Sequence, residues 1–225
     1  MNSFKEIIKR FEYIKSKAES YNAKVVVVTK NIPSSMVRIL YDASHRDFGE
    51  NRVQEWLSKK AELPQDINWH IIGPLQSNKV KKVTGKVFLI HSVDREKILE
   101  LIDRSASSLN VVVDCLLEVH LAREETKHGF SAQEILSLFE RKRPVSESYK
   151  NVRILGLMTM ASFTDDRKQI RNEFKALREL GEQIKSMYGV PSYFSHLSMG
   201  MSNDWEIALE EGATIIRVGT AIWRG

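Results

Sequence analysis

The sequence is poor in cysteine, proline and glycine, and these shortages exclude several classes of protein. Its 225 residues include one Cys, five Pro and eleven Gly. The single cysteine, Cys115, excludes a disulfide framework and a zinc site built from several cysteines, so we predict a reducing compartment and no metal site. With little proline and glycine and 42% hydrophobic residues, the chain is expected to fold rather than to be collagenous or disordered.

Long hydrophobic runs are also missing. No window approaches the roughly 18 uninterrupted apolar residues that a membrane span needs. The N-terminal segment carries a charge every few residues instead of the apolar centre of a signal peptide. We therefore expect a cytoplasmic protein that does not contact membranes.

The excess of basic residues is small and dispersed. There are 34 Lys and Arg against 29 Asp and Glu, which gives a net charge of +5. Basic runs occur only around residues 79–86 and 141–143, without the interleaved aromatic residues on which bases stack. This distribution argues against nucleic acid as a partner, while a basic pocket for an anionic small molecule stays open.

Short apolar runs alternate with helical segments along the chain. Residues 25–28 are four consecutive valines, typical of a parallel strand buried on both faces. Further strands are predicted at 46–48, 69–72, 87–90, 111–119, 153–155, 193–197 and 215–218. Helices are predicted at about 4–20, 34–44, 50–62, 76–83, after 94, after 131, at 164–188 and at 203–211. Eight strands alternating with eight helices predict a single (β/α)8 TIM barrel over residues 1–225.

An open doubly wound sheet is the alternative architecture. It would carry a glycine-rich phosphate loop after the first strand, where the sequence reads TKNIP at 29–33. Only seven residues follow Val218. Because a full eighth helix does not fit there, we expect the N-terminal helix to cover the seam of the barrel.

Lys30 follows the valine run directly, and barrels of this type place their active sites at the C-terminal ends of the strands. A lysine there can form an imine with an aldehyde when burial or cationic neighbours keep its amine partly unprotonated. On position alone, a solvated surface lysine is the commoner interpretation.

Two loops that the barrel would make neighbours are rich in small and hydroxylic residues. Gly219 and Thr220 follow the last strand, and Ser198 and Ser202 lie in the loop after the seventh. Phosphate groups often bind at these loops, because a glycine lets backbone N–H groups approach the anion. Ser202 is alternatively a helix N-cap.

Arg217 lies inside an apolar strand, where a permanently charged guanidinium needs a partner. One expectation is a salt bridge to Glu50 or Glu118. The other is a position in the barrel mouth, where Arg217 donates to a ring nitrogen.

These residues lie in motifs that together resemble the pyridoxal phosphate homeostasis proteins, also called YggS-like or PROSC-like proteins. The motifs occur in order over nearly the whole chain, as VVVVTK at 25–30, FGEN at 48–51, WHIIGPLQSNK at 69–79, GLM at 156–158, LSMGMS at 197–202 and RVGTAI at 217–222. The resemblance implies a barrel like the N-terminal domain of alanine racemase, with pyridoxal 5′-phosphate (PLP) held as a lysine aldimine.

The resemblance also implies roles for individual residues. Lys30 matches the aldimine lysine, Arg217 matches the residue that faces the pyridine nitrogen, and Ser198, Gly219 and Thr220 match the phosphate binders. Four more residues match motif positions around the cofactor, namely Asn51, His70, Met158 and Ser202. Lys79 and Lys127 match family lysines and are candidates for secondary PLP sites. The sequence departs from the family at Ile32, where a rim lysine is usual.

The implied function is a non-catalytic carrier or buffer of PLP in vitamin B6 homeostasis. Its partners would be PLP-dependent apo-enzymes, and we expect a monomer. An arginine at the ring nitrogen accepts no proton and leaves the pyridine neutral, so the ring stabilises a carbanion poorly. No catalytic residue is therefore predicted.

Two other functions stay open. An amino-acid racemase needs an acid/base on each face of the substrate. We expect no C-terminal domain to supply one, which leaves Tyr41, His70 and His196 as candidates. A barrel enzyme acting on a phosphorylated metabolite without a cofactor would use Lys30 to form an imine with its substrate.

Overall fold

Eight parallel strands close into a barrel in the order β1 to β8, with β8 paired to β1. This is the arrangement in the computed structural model, which describes residues 2–121 and 128–224. The strands are β1 (Lys24–Val28), β2 (Asp47–Glu50), β3 (Asn68–Ile71), β4 (Leu89–Val93), β5 (Val113–Glu118), β6 (Val152–Met158), β7 (His196–Ser198) and β8 (Ile215–Val218). The predicted barrel is confirmed, and the open sheet is excluded.

Within the described residues, ten α-helices accompany the strands. They are α1 (Asn2–Glu19), α2 (Ser34–Asp42), α3 (Val53–Glu62), α4 (Val80–Val83), α5 (Glu96–Leu109), α6 (Ala132–Arg141), α7 (Val145–Ser148), α8 (Arg167–Tyr188), α9 (Trp205–Glu210) and α10 (Thr220–Trp223). The two that were not predicted, α7 and α10, have four residues each. Such short helices cannot display an apolar period of 3.6 residues.

The N-terminal helix covers the seam of the barrel, as predicted. Helix α1 packs on β1 and on α10. Arg10 Nε donates a 2.9 Å hydrogen bond to the carbonyl oxygen of Ile222, and Trp223 Nε1 donates a 2.7 Å hydrogen bond to that of Val28. The first contact joins the N-terminal helix to α10, and the second joins α10 to the end of β1.

Apolar side chains pack on both sides of the barrel wall. The larger cluster lies between strands and helices and includes the buried Phe11 and Trp56. The smaller cluster lies inside the barrel and consists of Val26, Leu89, Leu116, Met158 and Ile215, each from a different strand. Side chains two positions apart in a strand share a face. Polar residues two positions from these five therefore also point into the barrel.

Candidate functional site

Four of the predicted site residues emerge from consecutive strands at one rim of the barrel. Asn51 follows β2, Lys30 follows β1, Gly219 follows β8 and Ser202 follows β7. These strands are neighbours in the order β2, β1, β8, β7, and all are parallel. The C-terminal ends of the strands form the mouth of the barrel, so these four residues lie on the same side of that mouth.

The loops after β7 and β8 converge on the hydroxyl of Ser202. Its Oγ accepts hydrogen bonds from the backbone N–H groups of Gly219, at 3.3 Å, and Ala221, at 3.2 Å. Thr220, the first residue of α10, is exposed beside them. Two backbone donors and two hydroxyls thus share a small region at the mouth, which is the donor set that suits a phosphate.

A glycine shapes the first of these loops. Gly200 has a φ of +94°, and a Cβ added there would lie 2.5 Å from Cβ of Ala208. Its carbonyl oxygen accepts a 2.9 Å hydrogen bond from the N–H of Arg217. Only glycine adopts this conformation without strain, and it lets the loop turn back toward β8 before Ser202.

Lys30 is exposed, but its chain neighbours are firmly held. The Thr29 hydroxyl donates a 2.6 Å hydrogen bond to Glu50 Oε1, and Lys59 Nζ donates both to Glu50 and, at 2.5 Å, to the Thr29 carbonyl oxygen. On the other side, the N–H of Asn31 donates a 3.1 Å hydrogen bond to Glu55 Oε2. The backbone on both sides of Lys30 is therefore fixed.

The Glu50 carboxylate at the centre of this cluster is fully buried. Burial raises the pKa of Glu50, although hydrogen bonds from Lys59 and Thr29 oppose the rise. Glu50 Oε2 has no hydrogen-bond partner in the described structure. The carboxylate therefore depends on the contact with Lys59 for its charge balance.

Arg217 is buried inside the barrel, with 3% of its surface exposed. Its guanidinium donates to Ser198 Oγ at 2.6 Å and to the Thr159 carbonyl oxygen at 2.8 Å. Burial lowers the pKa of Arg217 to about 10, while the carboxylates of Glu118 and Asp204 favour the charged form. The guanidinium stays charged at neutral pH.

Neither expected ion pair of Arg217 forms. Glu50 pairs with Lys59, and Glu118 makes no salt bridge to Arg217. Glu118 is instead a buried carboxyl, 2% exposed, and its Oε2 has no hydrogen-bond partner in the described structure. Burial, together with the nearby Asp94, raises the pKa of Glu118 to about 7.

Ser198 and His70 lie deeper in the barrel than the rim. Ser198 is fully buried and contacts Arg217 and His91, whereas Ser202, Gly219 and Thr220 form the hydroxyl-rich loops. Ser198 therefore lies deeper in the barrel than the other two predicted phosphate binders, Gly219 and Thr220. His70, 3% exposed, contacts His91 and Asp47 and not the mouth.

The remaining predicted residues fall in different places. Met158 ends β6 and is fully buried in the interior apolar cluster. Lys79 is half-buried at the end of a short 3-10 turn. Lys127 lies outside the described residues.

Sequence reasoning missed His91, Lys59 and the partnership of Glu50. His91 lies one residue beyond the strand predicted at 87–90, whereas β4 runs from Leu89 to Val93 and includes it. The available signal was position, because His91 follows Leu89 by two and must share its inward face. Lys59 gave no signal, since α3 also carries Lys60 and two glutamates and nothing in the sequence distinguishes the two lysines.

Comparisons of this chain with known proteins agree on one family. Residues 3–225 match the family model of the alanine racemase N-terminal domain. A pyridoxal phosphate homeostasis protein of Aquifex aeolicus is 43% identical over 202 residues, covering 89% of this chain and 86% of that protein. No helix among the described residues is long and apolar enough to span a membrane.

Solved structures agree with this result. PipY of Synechococcus elongatus, determined without PLP, is 34% identical and superposes with a TM-score of 0.89, covering 96% of this chain and 99% of that one. The structure of PipY with PLP bound gives a TM-score of 0.87 over the same shares of the two chains, again at 34% identity. The chain therefore belongs to the family of pyridoxal phosphate homeostasis proteins, which has the fold of the alanine racemase N-terminal domain.

Proposed function

We propose that this protein binds PLP at the barrel mouth, covalently through Lys30, and serves vitamin B6 homeostasis as a non-catalytic carrier or buffer. The observation that carries the proposal is the buried, charged guanidinium of Arg217 beneath a rim that holds both an exposed lysine and converging N–H donors. The PLP bound by the related PipY supports the choice of ligand.

The chemistry of the donor set fits PLP group by group. When bound, the cofactor supplies an aldehyde that reacts reversibly with amines. The amine of Lys30 would hold that aldehyde. The N–H groups of Gly219 and Ala221, with the hydroxyls of Ser202 and Thr220, would bind the phosphate dianion.

Two further residues complete the proposed site. Met158 contributes an apolar floor at the end of β6. Asn51 lies beside Lys30 on the rim and offers an amide to the polar edge of the ring. Ser198, in this proposal, holds Arg217 in place instead of touching the phosphate.

Arg217 also supports the absence of turnover. Its guanidinium donates hydrogen bonds and keeps its own proton at neutral pH, so it would leave the pyridine nitrogen unprotonated. A neutral pyridine withdraws electrons weakly and assists Cα–H cleavage poorly. This favours storage and delivery to PLP-dependent apo-enzymes over racemisation.

The attachment site is tested by chemical trapping. Purified protein is loaded with PLP, reduced with borohydride and digested, and the modified peptide is located by mass spectrometry. We expect the adduct on Lys30 and its loss in Lys30→Ala. The same change at Lys79, the half-buried lysine that ends the 3-10 turn after β3, is the control, and Lys79→Ala should leave the adduct unchanged. A wild-type adduct on Lys79 or Lys127 would refute the assignment to Lys30.

A further inference from the structure

Five side chains form a continuous hydrogen-bonded line across the inside of the barrel. Arg217 lies 2.6 Å from Ser198 Oγ, which lies 2.8 Å from His91 Nδ1. His91 Nε2 lies 2.9 Å from His70 Nδ1, and His70 Nε2 lies 3.2 Å from Asp47 Oδ1. The line passes through β8, β7, β4, β3 and β2, and β4 is not a neighbour of β7 in the sheet.

The two ends of the line differ in exposure. Arg217, Ser198, His91 and His70 are each at most 3% exposed. The side chain of Asp47 is 24% exposed, at the start of β2. Since strands run from the base of the barrel to the mouth, the line connects solvent at the base with the guanidinium beneath the proposed cofactor.

The chemistry of the end groups gives the line a single direction. An arginine can only donate hydrogen bonds, and an ionised carboxylate can only accept them. Although burial raises the pKa of Asp47, the hydrogen bonds that its carboxylate accepts, first of all from His70 and also from Asn68, outweigh burial and leave that pKa below its usual value. One end is therefore a pure donor and the other a pure acceptor.

The two histidines between them are neutral. Burial lowers the pKa of His70 and lowers that of His91 well below its usual value, where His70 and Arg217 add to the effect. A neutral imidazole has one N–H donor and one acceptor nitrogen, and a serine hydroxyl has one hydrogen to give. Each inner member can thus accept once and donate once along the line.

Only one pattern of hydrogens satisfies every contact. Arg217 donates to Ser198, the Ser198 hydroxyl donates to His91 Nδ1, His91 Nε2–H donates to His70 Nδ1, and His70 Nε2–H donates to Asp47. In the reversed pattern, the unprotonated His70 Nε2 would face the carboxylate, and the Ser198 hydroxyl hydrogen would lose its acceptor. An unmade hydrogen bond in a buried site is costly.

We infer that this one-directional chain fixes the orientation of Arg217, so that Asp47, His70, His91 and Ser198 are positioning residues for the ring-nitrogen donor. The inference rests on the proposed function, in which Arg217 faces the pyridine. Asp47 sets the direction of the chain from the base of the barrel, because it fixes the hydrogen on His70 Nε2. A change at the base should therefore alter how the mouth holds PLP.

The chain itself is tested in the protein without cofactor. Nitrogen-15 NMR of histidine side chains distinguishes the two neutral tautomers, and His70→Gln and His91→Gln assign the signals. We expect both histidines to carry hydrogen on Nε2. Asp47→Ala should give mixed tautomers at His70 and His91, whereas Asp47→Asn, whose side-chain oxygen still accepts a hydrogen bond, should keep the wild-type tautomers.

The consequence for the mouth is tested by PLP affinity. Asp47→Ala should weaken PLP binding by about fivefold, because the hydrogen-bond chain loses the acceptor that sets its direction. Asp47→Asn, which keeps an acceptor oxygen, should retain most of the wild-type affinity. The matched control is Asp114→Ala, which removes another half-exposed carboxylate near the base, paired with Arg153 and outside the chain. It should change neither tautomers nor affinity.

The outcomes separate this inference from the proposed function. Hydrogen on His91 Nδ1 in the wild-type protein would overturn the inference, and so would an Asp47→Ala protein with mixed tautomers and unchanged PLP affinity. Wild-type protein with the expected tautomers that binds no PLP would contradict the proposed function, while still supporting the hydrogen-bond chain.

Discussion

The Thr29 hydroxyl donates a 2.6 Å hydrogen bond to Glu50 Oε1, and this contact ties the residue before Lys30 to the end of the neighbouring strand. Lys59 completes the cluster by donating to both Glu50 and the Thr29 carbonyl oxygen. A buried ion pair stabilises little by itself, but it is costly to break from one side. The ion pair between Glu50 and Lys59 holds Thr29, and we expect it to keep the end of β1 aligned with the end of β2.

Replacing Lys59 with methionine tests this role. Lys59→Met leaves the Glu50 carboxylate buried without its cation, and we expect the free energy of unfolding to fall by about 3–5 kcal/mol in urea denaturation. The control is Lys60→Met, which changes the next residue of α3 and should cost less than about 1 kcal/mol. Recovery of most of the lost stability in the double variant Glu50→Gln/Lys59→Met would establish the unpaired charge as the cause. Equal losses for the two single lysine variants would contradict it.

The hydroxyl-rich loops are tested by comparing two ligands. Thr220→Val and Ser202→Ala should weaken binding of PLP by about 1–3 kcal/mol, the range for hydrogen bonds to a charged group. Binding of unphosphorylated pyridoxal should change much less, as measured by fluorescence titration of both ligands. Ser195→Ala, at the opposite end of β7, is the matched control and should leave both affinities unchanged. Equal weakening of both ligands would show that these loops do not hold the phosphate.

Glu118 should make stability depend on pH. Its pKa is raised by burial from 4.5 to about 7 in the folded protein, so the folded state favours the protonated form. Its contribution to stability is therefore complete below pH 4.5 and is lost as the pH rises through 7. As the pH rises from 4.5 to 7, the free energy of unfolding of Glu118→Gln should therefore increase relative to that of wild type, by up to about 3 kcal/mol.

The measurement is urea denaturation of both proteins at a series of pH values. Glu140→Gln, which removes an exposed carboxylate from α6, serves as the control for the change in net charge. A difference between Glu118→Gln and wild type that stays constant over this range would show that Glu118 titrates alike in the folded and unfolded states.

Gly156 allows close contact between β6 and β7. Its φ is +153°, and an added Cβ would lie 1.9 Å from the carbonyl oxygen of His196. Gly156→Ala should therefore destabilise the barrel by more than about 3 kcal/mol, through backbone strain and overpacking.

Gly181→Ala is the matched control in α8, where the nearest atom to the added Cβ is 3.6 Å away. That change should stabilise by up to about 1 kcal/mol, because alanine favours a helix more than glycine does. Thermal unfolding of the two variants measures the contrast.

Sequence alone predicted the barrel because its strands are buried on both faces and read as short apolar runs. It also predicted the rim position of Lys30, since a residue that follows a parallel strand must lie at the C-terminal end. The sequence did not show how deep inside the barrel each predicted site residue lies. Ser198 and Ser202 are four residues apart in one motif, yet one contacts Arg217 and the other the loop after β8. Only the closed geometry distinguishes them.

The cross-barrel contacts were beyond sequence reasoning for the same reason. His91 and Ser198 are 107 residues apart and lie on strands that are not adjacent. Local periodicity identifies the inward face of each strand but not which inward residues meet across the interior. The cofactor roles of the nine site residues and the single-domain organisation of residues 1–225 stay predictions.

The final prediction is that the PLP-loaded protein leaves amino acids essentially unchanged. Arg217 keeps its proton at neutral pH and should leave the pyridine neutral, which removes much of the electron withdrawal that drives Cα–H cleavage. Incubation with a panel of L-amino acids in deuterated water, followed by NMR, measures exchange at Cα, which requires proton abstraction but no particular product. We expect exchange no more than about tenfold faster than with free PLP, against the 10⁶-fold or greater accelerations of enzymes. Lys30→Ala gives the background for each amino acid. Rapid exchange with any one of them, lost in Lys30→Ala, would favour the racemase instead, because it would show that a neutral ring above Arg217 still suffices for catalysis.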